Sequence, residues 1–212
     1  MNRIQHFRND RIRIWKGIEI KPIFGVSLLV GIECNSIAFY YLSKYYKAVL
    51  DLTPETPADW WEVEALFDLC FAPGREALSS YRLRDDANPV AALCFLIRDE
   101  TGALGGAIRY WPVNIAQQPA LLLGPVAVHP TRQGEGLGGF LIRESLKIAQ
   151  DMGHERVMLI GDAPYYERFG FVKLQNVHMP PPTNPNRILG VSLSKNAWNK
   201  ISGPVKKPGF TR

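Results

Sequence analysis

Val126-Ala-Val-His-Pro-Thr-Arg-Gln-Gly-Glu-Gly-Leu-Gly-Gly139 is the stretch from which the rest of the chain can be read. Three β-capable residues, Val126 to Val128, run into a proline turn and then into a glycine-dense loop. Phe140 to Met152 follows with helical spacing and without further Gly or Pro. A strand that feeds a glycine-rich turn at a helix N-terminus makes an anion site. The first helical N–H groups lack intrahelical partners, and the macrodipole adds about half a positive charge there. Glycine lets the backbone approach a ligand closely and adopt positive φ. A phosphate-like ligand is therefore expected.

Three phosphate loops compete for this sequence. A Walker loop needs Lys and then Ser or Thr after its last glycine, whereas Gly138 is followed by Gly139 and Phe140. A dinucleotide loop, GxGxxG, is matched by Gly134, Gly136 and Gly139, and Glu155 stands near the distance at which an acidic residue is required. The third pattern, Q/R-x-x-G-x-G/A, is matched by Gln133, Gly136 and Gly138. It resembles the pyrophosphate loop of the GNAT (Gcn5-related) N-acetyltransferases, which bind acetyl-CoA.

The resemblance extends over about residues 48 to 194. Leu121 to Pro130 is similar to the family's fourth strand and Val157 to Ile160 to its fifth. Ala163 to Phe171, Ala-Pro-Tyr-Tyr-Glu-Arg-Phe-Gly-Phe, is similar to the helix and YxxxGF ending that follow. Gly161-Asp162 before the tyrosine pair, together with Pro73-Gly74-Arg75 and Arg82-Leu83-Arg84, most resembles the subgroup of predicted acetyltransferases related to YhbS. The implied fold is α/β with a mixed sheet, a single acyl-CoA N-acyltransferase domain carrying an N-terminal extension.

The resemblance also implies site residues. Backbone groups of Val126, Ala127 and Val128 would pair with the pantetheine arm as a strand does. N–H groups from Gln133, Gly134, Glu135, Gly136, Leu137, Gly138 and Gly139 would cradle the pyrophosphate. Arg132 would either screen the phosphates or stand in solvent, and Glu135 would point outward. Pro125 lacks an N–H, and Gly124-Pro125 invites a bulge that splays the fourth and fifth strands. The Val126 backbone N–H is then the expected oxyanion donor. Tyr166 is expected beside the CoA sulfur as general acid, since a phenol with a pKa of about 10 stays protonated near neutral pH; Tyr165 is its decoy.

The general base stays open. Asp162 could deprotonate the amine through water, attract a cationic substrate, or cap the next helix. His129 has a suitable pKa but stands between a strand and a Pro turn. Arg75 and Arg109 are further candidates for the acceptor side. The expected activity is acetyl transfer from acetyl-CoA to a primary amine of a small molecule or peptide. The alternative is an acyl-CoA-binding module without turnover, acting as a sensor or partner protein.

Composition narrows the classes. At 212 residues the chain can bury the core of one ordinary domain. Cys34, Cys70 and Cys94 offer neither a CxxC pair nor a disulfide framework, and His6, His129, His154 and His178 form no ligand spacing. No metal and a cytoplasmic setting are expected. The net charge of +5 resides in residues 1–47, which hold eight Lys/Arg and three Asp/Glu, whereas residues 48–212 hold seventeen of each. A neutral catalytic part argues against a nucleic-acid partner. Residues 1–47 also hold only one alanine, Ala38, and so read as a compositionally distinct arm, or as translation from an upstream start. The apolar run beginning at Pro22 is uninterrupted only to Ile32, too short for the roughly 20 residues of a membrane span. A homodimer is compatible with the family.

Among the elements, Val49 to Leu52 reads as a first strand. Thr56-Pro57-Ala58-Asp59 reads as a capped helix start, with Val63, Leu66, Phe67 and Cys70 on one buried face. Glu76 to Arg84 reads as a second helix, Val90 to Ile97 and Leu104 to Trp111 as strands of a hairpin, and Asn114 to Pro119 as a loop. A strand to Gln175, a Pro-rich loop from Met179 and a last strand from Ile188 to Leu193 complete the domain. Residues 195–212 read as a mobile tail.

Overall fold

The computed structural model describes residues 20–23, 26–29, 52–71 and 74–209. The chain divides into two units, residues 1–47 and 48–212. In the first, β1 (Ile20–Ile23) and β2 (Val26–Leu29) form an antiparallel hairpin, with Ile20 opposite Leu29. The expected strand at Val49–Leu52 falls mostly outside the described residues; pairing starts at β3 (Thr53–Pro54). Among the described residues, no helix is long and apolar enough to cross a membrane.

The second unit is a mixed sheet with helices on both faces. Its elements are β3, α1 (Trp60–Phe71), α2 (Ser79–Arg82), β4 (Phe95–Arg98), β5 (Leu104–Ile115), β6 (Gln118–Val128), α3 (Leu137–Asp151), β7 (Arg156–Ile160), α4 (Ala163–Tyr166), β8 (Val172–Lys173), β9 (Val177–His178), β10 (Ile188–Ser192) and β11 (Gly203–Lys206). The strand order is β3-β4-β5-β6-β7-β10-β8, and β11 joins the far end of β5 to β9. Neighbours on this path run antiparallel except β6 and β7. A parallel pair needs a crossover, and α3 supplies it.

Alternation along the central strands feeds both faces. Leu121 and Leu123 point to the α3 side, where Leu137, Leu141, Ile142 and Ala149 pack, while Leu122 points to the opposite side with Trp111 and Met158. Val63, Leu66 and Phe67 of α1 cover Leu96, Ala107 and Ala127. The start of α1 is fixed as its sequence suggests. Thr56 N–H donates to Asp59 Oδ2 at 2.9 Å, and a 3-10 turn at Pro57–Asp59 leads into the helix.

Four local expectations are corrected. Glu76–Arg84 is not one helix: a 3-10 turn at Arg75–Ala77 is cut from α2 by Leu78 in extended conformation (φ −66°, ψ 142°). Val90–Leu93 is not strand, because a 3-10 turn at Ala91–Leu93 delays β4 to Phe95. Asn114–Pro119 is not a loop; β5 and β6 continue to Ile115 and Gln118 and close on a two-residue turn. The tail holds β11, whose Val205 is buried opposite Ile115. In the last two cases the gain from extending an existing ladder outweighs local turn propensity.

Candidate active site

The sheet parts where β6 meets β7. Only Leu121–Val157 and Leu122–Met158 are in register, after which β6 continues to Val128 without a partner on that side. The cause lies one step further on. Ile108 pairs with Val126 and Tyr110 with Leu123, so Arg109 faces both Gly124 and Pro125, a bulge that turns β6 away from β7. Gly124 adopts φ +127°, which side-chain-bearing residues rarely accept.

His129 N–H donates to Gly105 O at 2.9 Å, toward β5. By strand alternation Ala127 also faces β5, whereas the N–H and C=O of Val126 and Val128 face the opening. One of these groups is already engaged: Val128 O accepts from Cys70 Sγ and from Gln133 Nε2, each at 3.4 Å. The Val126 N–H is thus directed into the gap.

The glycine loop lies below this edge. Gly134 (φ +89°) and Gly136 (φ +83°) are left-handed with nothing near the place of a Cβ, so conformation alone demands glycine there. Phe140 N–H reaches back to Gly136 O at 3.0 Å. Among the described residues, the N–H groups of Gly134, Gly136, Leu137, Gly138 and Gly139 donate to nothing, which leaves a nest of donors at the N-terminus of α3.

Two clefts meet at the parting. One, of about 490 Å³, runs over the loop between Val128, Gly136, Gly138, Arg143, Tyr165 and Arg168. The other, of about 130 Å³, lies between the parted strands and is walled by Leu78, Tyr81, Arg84, Gly124, Pro125 and Leu159. Val126 and Tyr166 line both. The Tyr166 ring rests edge-on against Tyr165 (4.9 Å between centroids) and Phe171 (5.8 Å). Burial pushes its phenol up to about 12, with Tyr165 and Asp162 adding to the shift and Arg187 opposing it. Gly161 makes room for it: a Cβ there would stand 2.2 Å from Tyr166 Cε2.

The remaining candidates are scattered. Asp162 lines neither cleft; its exposed carboxylate pairs with Arg187 Nε at 3.1 Å. His129 Nδ1 is held by Thr131 Oγ1 at 2.7 Å and also lies outside both clefts. Arg75 and Arg109 do not face the acceptor side but are buried beneath it. Arg109 pairs with Glu55 (2.6 Å) and Glu64, and Arg75 with Asp68 (2.6 Å) and Glu64. Arg132 reaches the loop cleft, although Glu135 already holds it at 2.8 Å. Ala127 is buried.

Three cations in the clefts were not among the residues expected from sequence. Arg143 lies one helical turn beyond Gly139, with Nη1 3.2 Å from where a Gly139 Cβ would be. Arg168 stacks on Tyr165 at 3.9 Å. Arg84 lies over Tyr81 at 4.3 Å. Arg84 and Arg168 stand inside the family-like stretches Arg82-Leu83-Arg84 and Ala163 to Phe171, but residue type there does not show which side chains enter a cleft. Arg143 is marked only by standing one helical turn after Gly139.

Comparison with known proteins agrees with this geometry. Residues 60–171, just over half of the chain, match the acetyltransferase (GNAT) family. The Escherichia coli K12 protein YhbS, an uncharacterized N-acetyltransferase, is 30% identical over 119 residues, 55% of this chain and 70% of its own. YjhQ from the same organism is 36% identical over 104 residues, 48% of this chain and 58% of its own. The crystal structure of E. coli YhbS with CoA superposes with a TM-score of 0.64 at 26% identity, covering 75% of this chain and 89% of that one. A GNAT acetyltransferase from Brucella melitensis with acetyl-CoA gives 0.57 at 26% identity, covering 76% and 96%. With its parted strands, left-handed glycine loop and crossover helix, this chain belongs to the GNAT acetyltransferase family.

Proposed function

We propose that the protein transfers the acetyl group of acetyl-CoA directly to a primary amine of a small molecule. The observation that carries this reading is the meeting of the two clefts at Val126 and Tyr166. A donor nest for phosphates on one side and a narrow pocket on the other can meet productively only where an acyl carbon is held between them.

The loop N–H groups, with Arg143 and Arg168, would hold the CoA phosphates, and the open edge of β6 would pair with the pantetheine amides. What acetyl-CoA supplies is the activated thioester. The Val126 N–H then faces the negative charge that gathers on the carbonyl oxygen, an interaction commonly worth about 3–4 kcal/mol. As the amine nitrogen bonds to the carbonyl carbon and the carbon–sulfur bond breaks, the Tyr166 hydroxyl protonates the sulfur. The amine gives up one proton, and the products are an amide and a thiol. A phenol near 12 can serve as this acid because the desolvation that raises it also raises the thiol forming beside it.

Among the described residues, the acceptor cleft is lined by no carboxylate and no histidine. Its apolar walls favour a neutral amine, and water is the proposed acceptor of the amine's proton. The test is thiol release with Tyr166→Phe beside calorimetric titration of CoA. Turnover should fall about 100-fold with CoA affinity retained. An unchanged rate would remove Tyr166 from the chemistry. A wild-type protein that binds CoA and turns over no amine would be a binding module.

A further inference from the structure

Among the described residues, Arg84 is the one cation lining the smaller cleft, and its hydrogen bonding is incomplete. It follows α2, where its own N–H donates to Tyr81 O at 2.7 Å. Its guanidinium lies over the rings of Tyr81 (4.3 Å) and Trp111 (5.8 Å). Nε and Nη1 are sealed from solvent and have no hydrogen-bond partner among the described residues. Nη2 reaches the strand bulge, 3.4 Å from where a Gly124 Cβ would stand.

The carboxylates packed beneath it are already engaged. Asp68 and Glu64 take the donors of Arg75, and Glu55 and Glu64 those of Arg109. Burial lowers the Arg84 pKa to about 10, with Tyr81 opposing the shift and Arg75 and Arg109 adding to it, which still leaves it charged at neutral pH. A buried guanidinium with unused donors is costly unless an anion meets it. Nη2, the guanidinium nitrogen that is not sealed off, can donate a charge-assisted bond to a carboxylate in the cleft.

Resting on the acetyltransferase reading, we propose that Arg84 anchors a carboxylate of the acceptor, so that the amine belongs to a small molecule of the amino-acid type. The position fits. Gly124, which Nη2 approaches, precedes Val126 by two residues, and Arg84, Gly124 and Val126 line the same cleft, so one small molecule can meet both ends. Between the two points the walls are apolar (Leu78, Leu122, Pro125, Leu159), suited to a compact hydrocarbon body. A peptide's terminal amine carries its free carboxylate too far away to satisfy both.

The experiment compares free amino acids with apolar side chains, their amides and their decarboxylated amines, using thiol release from acetyl-CoA by the full chain. Wild-type kcat/KM for the best amino acid should exceed that of its amide by about thirtyfold or more, expressed mainly in KM. Arg84→Gln should bring that ratio close to one, and Arg84→Lys should restore part of it; CoA titration and a melting curve confirm that each variant is folded. Equal use of amino acid and amide by the wild type, or an undiminished ratio in Arg84→Gln, would overturn the proposal. Calorimetric binding of the amino acid in the presence of CoA separates the two failures. Binding that depends on Arg84 without turnover sinks the transfer reading and keeps the anchor. Turnover indifferent to the carboxylate sinks only the anchor.

Discussion

Gly161→Ala tests the geometry of the acid more sharply than removal of the acid itself. The new Cβ would stand 2.2 Å from Tyr166 Cε2, 2.7 Å from its Cδ2 and 2.9 Å from Leu159 Cδ1. Non-bonded carbons rest at about 3.5–4.0 Å, so the ring must retreat by more than about 1 Å. Tyr165 and Phe171 stand against it at 4.9 and 5.8 Å, and the retreat therefore swings the hydroxyl out of place. A misplacement of about 1 Å can cost on the order of 100-fold in turnover. Overpacking should also remove about 1–3 kcal/mol of stability, which lowers Tm by about 2–4 °C per kcal/mol in a domain of this size. The assay is kcat by thiol release in wild type, Gly161→Ala, Tyr166→Phe and the double variant. If the alanine acts through the hydroxyl, it should cost little once the hydroxyl is gone. Wild-type kcat in Gly161→Ala, or an equal loss in both backgrounds, would refute the reasoning.

Three further outcomes are expected. Gly136→Asp places a side chain and a negative charge at a left-handed position beside the donor nest, and calorimetry should detect no CoA binding. Glu64→Gln leaves Arg75 and Arg109, both nearly inaccessible, short of a shared carboxylate; urea unfolding should show a loss of about 2–3 kcal/mol. Because the Tyr166 pKa is raised, its acid form is complete below the ordinary tyrosine value and is lost only as pH climbs through about 12. The kcat profile should therefore show no downward limb near pH 10, and a Tyr166-dependent limb there would contradict the assignment.

Much of this site was legible because its demands are local. Left-handed turns at Gly134 and Gly136, a strand that stops just before the Pro130 turn, and the Val63, Leu66, Phe67, Cys70 stripe are written in spacing and residue type alone. Boundaries set by partners were not. The β5–β6 ladder runs on through residues that read as a loop, down to Ile115 opposite Gln118. Strand β11 orders part of a segment that read as mobile, because Val205 and Lys206 pair with Ile115 and Asn114, far away in sequence. The same holds for arginines. Arg75, Arg84 and Arg109 look alike in the sequence, yet two are buried against carboxylates and one is left facing the cleft. Nothing in the residues around Arg84 reveals that Glu64 is already taken.

The two-residue register between β6 and β7 has a consequence for cooperativity. Among the described residues, the ladders β3-β4-β5-β6 and β7-β10-β8 are joined directly by those two pairs, and elsewhere by side chains of both core faces, α3 among them. Such a seam divides the sheet into two units able to open separately, with amides beside it exchanging sooner than those at the middle of the β5–β6 ladder. A molecule that forms backbone hydrogen bonds along the free edge would act as a missing strand and couple the halves. Ligand-induced protection should then extend to β10, well away from any direct contact, and the unfolding transition should sharpen as it rises.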